Sequence, residues 1–436
     1  MNRIHPLFLA GISILILGAI AHAAQDVVIY GEGFAAVHET RTVSFSPEQT
    51  AVSLSLPAGL IGDSLWIQIA DGEVPFSYQL VPGDDLTAAL IGRAVEVVDT
   101  NGHLYRGTLR ALSAGLVLEE ADGRTVILDE FVRLRVSDPI ALSTDPSVDI
   151  RIDGTVNGDM PITLLYLETG LTWETNYVVV LSPDETMLSL NATTTIANGS
   201  GSDLVEATVS LIAGDVNTVD DVYGATMRSA AVPLAYELDY SAAQAASEYY
   251  RYALSAPLTL ADGASVTVPY RAASNVPVTK TYGYDGVYGG GVEVMLAFDN
   301  TADSGLGIPL PSGAVRVYTL GDGFLFLGSD STSHVAAGAS VDLEIGTAFD
   351  LSGEREILSR TEPTDDVYEE TVEVTLTNHK SEAVTVIVTE HPSGTSWQML
   401  EASHPYERVA SNTIDFEVTV PASSTAQVTY TSQYTY

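Results

Sequence analysis

Apolar and polar residues alternate with period two along much of this chain. Val372, Val374 and Leu376 interleave with Glu373, Thr375 and Thr377, and Ile414, Phe416, Val418 and Val420 with Asp415, Glu417 and Thr419. Successive side chains of a strand point to opposite faces, so such runs predict half-buried strands. Clusters of Gly, Pro, Asn, Asp and Ser break the runs about every 8 to 12 residues, the spacing of β-sandwiches. Helical stripes are nearly absent, and the one predicted helix is Ser241 to Glu248. The pattern predicts an all-β protein, with tandem immunoglobulin-like β-sandwiches preceded by an N-terminal β domain and a small SH3/Sm-like barrel.

The expected division is residues 24–82 for the N-terminal β domain and 83–138 for the small barrel. Residues 145–300 form a first sandwich with a flexible insertion at about 218–256, and 301–436 form a second. The barrel is read from short strands around Val95, Leu109, Leu118 and Ile127 and from the hairpin turns Asn101-Gly102 and Asp122-Gly123. An internal echo links the sandwiches. Thr195-Ile196-Ala197-Asn198 and Thr375-Leu376-Thr377-Asn378 each lead through a polar turn into another strand.

Arg3 and His5 precede the apolar run Leu7 to Ile20, which ends at Ala21-His22-Ala23. That order is a secretory signal peptide over residues 1–23. Its apolar core is about 14 residues, short of the roughly 20 a spanning helix needs. The expectation is a secreted or extracytoplasmic chain, in the periplasm or at the cell surface, with no transmembrane span after cleavage.

Charge narrows the partners. With 57 acidic and 18 basic residues the net charge is −39, which repels phosphate backbones and argues against nucleic acid. Because 46% of residues are apolar and only 17% charged, the chain is globular rather than an acidic disordered one. The absence of cysteine excludes disulfides, thiolate metal ligands and a cysteine nucleophile.

Several motifs invite chemistry and fail a second requirement. Gly62-Asp63-Ser64-Leu65 matches an esterase signature, but no histidine has the aspartate three residues before it that such enzymes use to orient the base for Ser64. His379, His391 and His404 lack the close spacing of zinc ligands. Asp215, Asn217, Asp220 and Asp221 offer oxygens to calcium, but Val219 and Asp220 break the EF-hand order. No cofactor is assigned; calcium in that acidic loop is the single candidate. Asp365-Asp366 and Glu369-Glu370 read as a solvated acidic strand edge. Tyr236, Tyr240, Tyr249, Tyr250 and Tyr252, with Tyr282, Tyr284 and Tyr288 among glycines, fit either strand-end packing or an adaptable contact surface. Asn191-Ala192-Thr193 and Asn198-Gly199-Ser200 match the glycosylation sequon.

The run Leu165-Tyr166-Leu167-Glu168-Thr169-Gly170-Leu171-Thr172-Trp173-Glu174-Thr175-Asn176-Tyr177 resembles the opening of the region shared by mucoidy-inhibitor-like proteins, catalogued as domain of unknown function number 4139. Leu211 to Asn217, Val341 to Gly346, Thr377 to Lys380 and Trp397 to His404 are similar to later parts of it, and Val28-Ile29-Tyr30 to the family's leading domain. Longer members carry a coiled-coil insertion where this chain has the small barrel, so coiled-coil assembly is not implied. The resemblance implies a β fold and an extracytoplasmic setting, and supplies no activity, cofactor or catalytic residue.

The function expected is therefore a non-enzymatic binding or scaffolding module of the cell envelope, with a protein or glycan partner. The alternative is a carbohydrate-active or other hydrolase using acidic residues in an inter-domain cleft. A third reading, an outer-membrane barrel, is suggested by Tyr430, Tyr434 and Tyr436 on the terminal strand but lacks a regular apolar lipid face.

Overall fold

The computed structural model describes residues 21–436 apart from 49, 73, 84–85, 113–114, 137–144, 215, 218–229, 232–243, 247, 321–322, 365–366, 395 and 436. Residues 1–20 of the leader and most of the 218–256 insertion, with Asp215, Asp220 and Asp221 of the acidic loop and the tyrosines Tyr236 and Tyr240, lie outside the described residues. The fold is all-β, arranged as several sheets with sandwich-like packing. Among the described residues no helix is long and apolar enough to cross a membrane. Two compact units are assembled from interleaved segments: residues up to 172 with 196–234 and 256–266, and residues 173–195, 235–255 and 267–436.

In the first unit, Ala21–Tyr30 pairs antiparallel with Phe34–Phe45 and parallel with Leu204–Ala213. Phe34–Phe45 then pairs with Gly158–Thr169, which pairs with Trp66–Ile69. Alternation directs Ile162, Leu164 and Tyr166 inward along one strand and Val27 and Ile29 along another. The 83–138 region is a five-stranded antiparallel sheet over a core of Leu90, Val95, Val97, Leu109, Leu116 and Leu118. Its hairpins turn at Gly102 and Gly123, with φ of +84° and +86°, where a Cβ would be strained.

In the second unit one sheet serves two cores. Its strands run in the order Ser340–Thr347, Glu293–Asp299, Thr279–Asp285, Val384–Glu390, Thr413–Val420, Tyr406–Ala410. Leu296, Phe298, Val341 and Leu343 from one half join Tyr177, Val179, Val315 and Val317 in the first core. Tyr284, Val386, Val388, Phe416 and Val418 from the other half join Val372, Val374, Val428 and Tyr430 in the second. The halves meet where Glu293–Asp299 pairs antiparallel with Thr279–Asp285, which on its other side pairs in parallel with Val384–Glu390. Tyr430 and Tyr434 of the terminal strand Ser424–Thr435 are buried, so they are core residues rather than a lipid-facing girdle.

One local expectation fails. Gln244–Ala246, inside the predicted helix, is a strand paired antiparallel with Tyr249–Ala253. An Ala-rich run too short to hold a helix alone takes its conformation from an adjacent β-forming tyrosine segment.

The echo seen in the sequence is a repeated corner. Asn198 and Asn378 are fully buried and end their strands identically: Oδ1 accepts from the amide two residues on (Ser200, 3.1 Å; Lys380, 2.9 Å). Nδ2 donates to the carbonyl four residues on (Ser202, 2.8 Å; Glu382, 2.8 Å) and to a carbonyl of a later strand end (Leu260, 3.0 Å; Val420, 3.2 Å). Asn300 does the same with a longer loop, accepting from Gly307 (2.9 Å) and donating to Ile308 (2.7 Å) and Ala336 (2.9 Å). The returning turns, Ala261-Asp262-Gly263-Ala264-Ser265-Val266 and Ala336-Ala337-Gly338-Ala339-Ser340-Val341, are near copies; Ser423 occupies the glycine position in the third corner. All three turn residues have positive φ, +74°, +86° and +49°.

Candidate functional site

The esterase motif is structural. Gly62–Ser64 is a 3-10 turn in which Ser64 Oγ donates to Ile61 O (2.6 Å) and accepts from the Leu167 amide (2.8 Å), stitching the turn to the Gly158–Thr169 strand. The hydroxyl is spent on backbone. His379, His391 and His404 do not share a site: His391 bonds Asp285, while His404 Nδ1 lies 2.9 Å from its neighbour Ser403 Oγ. Among the described residues no group of three His, Asp or Glu could hold a metal. Glu369 accepts from Gln433 (2.8 Å) within a strand ladder, and Asp365-Asp366 lie outside the described residues. Tyr252, Tyr282 and Tyr284 are core residues, whereas Tyr288 is exposed. Asn191 is exposed, but Asn198 Nδ2 is enclosed in its corner, so only the first sequon presents its amide.

The densest cluster of reactive side chains was not predicted as a unit. Parallel pairing brings the ends of Thr279–Asp285 and Val384–Glu390 to one edge, which places Asp285 beside Glu390 and His391. Asp285 Oδ1 accepts from the amides of Val287 and Tyr288 (3.0 Å each), and Oδ2 meets His391 Nε2 at 2.8 Å. Burial works against its charge, but the Tyr288 amide, the His391 ring and the Val287 amide outweigh it and hold the carboxyl below the usual range. Thr413 Oγ1 lies 3.5 Å from His391 Nδ1, and Tyr288 approaches the imidazole edge-on at 5.4 Å.

Directly inward, Glu390 is fully buried, paired with Arg355 Nε at 3.0 Å and accepting the Tyr430 hydroxyl at 2.6 Å. Burial raises its pKa despite those two partners. A side chain at Gly286 would collide with the Glu390 carboxyl, so glycine is required there. Geometrically, Asp285–His391–Thr413 is a carboxylate–imidazole–hydroxyl line in which Asp285 Oδ1 holds the turn and Oδ2 meets His391, while Glu390 is shut away from solvent.

A second charged cluster lies in the first unit. Glu39 pairs with Arg41 at 2.6 Å and accepts the Tyr166 hydroxyl at 3.3 Å. On the same inward face Glu168 is 1% exposed. Burial, then the Glu39 carboxylate, push it up to about 8. Glu168 thus keeps its proton at neutral pH.

The most exposed apolar cluster is the end of the hairpin formed by Gly313–Thr319 and Leu325–Thr332. Phe324 is 73% exposed and Phe326 50%, with Tyr318 between them at 5.3 Å from each ring. Leu325, on the opposite face, is 57% exposed, and Leu320 61%. Two surface depressions, of about 600 Å³ along Met399 to Tyr406 and about 500 Å³ over Glu96, Arg106 and Glu119, hold none of these clusters. No family model matches the chain, and no curated protein is detectably similar to it.

Proposed function

We propose that this chain is an exported, non-enzymatic binding or scaffolding protein of the cell envelope, related to the mucoidy-inhibitor-like family and built on immunoglobulin-like sandwiches. What carries the reading is that the groups best suited to catalysis are consumed by the fold. Ser64 bonds two backbone groups, Asp285 caps a turn, and Glu390 is sealed by Arg355 and Tyr430. A net charge of −39 favours solubility and disfavours polyanionic partners. Thermal-shift titration with calcium, zinc and a panel of envelope glycans tests it, since a ligand held only by the folded state raises the melting temperature. Crosslinking on intact cells then identifies a protein partner. A glycan-induced rise with sugar cleavage overturns the non-enzymatic reading.

The hydrolase alternative draws its support from the 2.8 Å Asp285–His391 contact with Thr413 beyond it. In that reading His391 is the base and Thr413 the nucleophile. Turnover of ester or glycoside substrates that His391→Ala abolishes while leaving the melting temperature within a few degrees would establish it.

A further inference from the structure

We propose that the outward face of the sheet around Trp66, in the first unit, binds an uncharged glycan; the inference rests on the binding reading above and names its ligand and its site. Of the three tryptophans Trp66 is the exposed one, at 50%. Trp173 packs beside Tyr252, and Trp397 donates to the Ser411 carbonyl at 2.8 Å. Trp66 opens the strand Trp66–Ile69, in which Ile67 and Ile69 turn into the core while Trp66 and Gln68 face outward. Its register partner on Gly158–Thr169 is Leu165, which is also exposed, and His38 and Asp26 continue that row on the next two strands. The neighbouring row runs Gln68, Thr163, Thr40. Tyr78 adds a second exposed ring at the same strand end, its hydroxyl donating to the Leu65 carbonyl at 3.4 Å.

The chemistry of these two rows selects the occupant. A pyranose has apolar C–H faces and a rim of hydroxyls, so it needs an aromatic platform beside uncharged donors and acceptors. The indole of Trp66 is that platform, and one row away lie the Gln68 amide and the Thr40–Thr163 hydroxyl pair, 3.2 Å apart. Three strand spacings separate Trp66 from Asp26, about 14 Å, which suits an extended oligosaccharide better than a single sugar. The charged side chains in these rows are Asp26 and His38, which face each other at 3.5 Å. No lysine or arginine stands in the rows to hold a carboxylate or sulfate, and a net charge of −39 repels acidic polysaccharides. For a protein partner the face is poorly furnished: beyond the two aromatic rings it offers leucine and threonine, which seldom carry binding energy in protein interfaces.

The test uses protein beginning at Ala24, which removes the apolar leader and keeps every core residue from Val27 onward. Calorimetric titration with soluble cello-, malto-, manno- and chito-oligosaccharides should show saturable binding of at least one of these neutral probes. Trp66→Ala should weaken that binding about tenfold or more, and Trp66→Phe much less, because a phenyl ring keeps a stacking face. Gln68→Ala should weaken it as well. These variants should keep the parent's melting temperature within a few degrees, since the replaced side chains face outward, and Phe324→Ser in the second unit should bind as the parent does. The absence of binding to every neutral probe overturns the proposal; a protein crosslinked on intact cells would then leave the broader binding reading standing. Neutral-probe binding that Trp66→Ala leaves unchanged overturns the assignment of the site. Polygalacturonate bound more tightly than every neutral probe overturns the choice of ligand.

Discussion

Glu168 sits on the inward phase of its strand with Ile162, Leu164 and Tyr166, where the folded chain keeps its proton up to about pH 8. The unfolded chain releases that proton near its ordinary value of 4.5. Between those values the folded state binds more protons, so stability falls as pH rises through the window, by at most about 1.4 kcal/mol per pH unit. Glu168→Gln should flatten this slope in denaturant titrations between pH 5 and 8; an unchanged slope would place the titration elsewhere. Ser64 makes a different point about single residues. Ser64→Ala leaves the Leu167 amide without its 2.8 Å acceptor and should cost about 1 to 2 kcal/mol, with no effect on any hydrolytic activity. A loss of turnover without loss of stability would return Ser64 to a catalytic role.

At the level of elements, the three asparagine corners explain how strands of different sheets are held at their ends. Each amide bonds carbonyls at the strand ends, so Asn378→Ala removes several buried hydrogen bonds at once and should cost about 3 kcal/mol. Gly338 sits at φ +86° with nothing within 4 Å of a Cβ position, so Gly338→Ala isolates backbone strain and should cost about 1 kcal/mol. Urea midpoints measure both, and a Gly338→Ala loss as large as that of Asn378→Ala would refute the strain account. The strands themselves were legible: Val372, Val374, Leu376 and Ile414, Phe416, Val418, Val420 are all buried, as their alternation required. The first and third corners showed as an echo because their turns are short; the second was hidden by the longer loop after Asn300. The charged clusters had a signal too, since Glu168, Glu390 and Asn378 each fall in the apolar phase of a strand. A polar residue in that phase must find a partner. What sequence could not supply was the parallel pairing of Thr279–Asp285 with Val384–Glu390, a contact between segments about a hundred residues apart that decides Asp285 meets His391.

For the molecule as a whole, 57 acids face 18 bases, so most carboxylates have no cation and repel one another. Self-repulsion of this kind destabilises the compact state and is screened by salt, with a Debye length of about 30 Å at 0.01 M falling to about 3 Å at 1 M. The melting temperature should therefore rise with sodium chloride over that range. Lowering the pH toward 5 reduces the negative charge and strengthens the protein for this reason as well, in the same direction as the Glu168 proton. Salt separates the two contributions, because it screens exposed charges while a carboxyl 1% exposed is beyond its reach. At low salt the loss of stability from pH 5 to 8 should be steep in both the parent and Glu168→Gln. At 1 M salt it should persist in the parent and nearly vanish in the variant. A parent whose pH dependence disappears at high salt would mean that surface repulsion accounts for all of it and that Glu168 is already ionised in the fold.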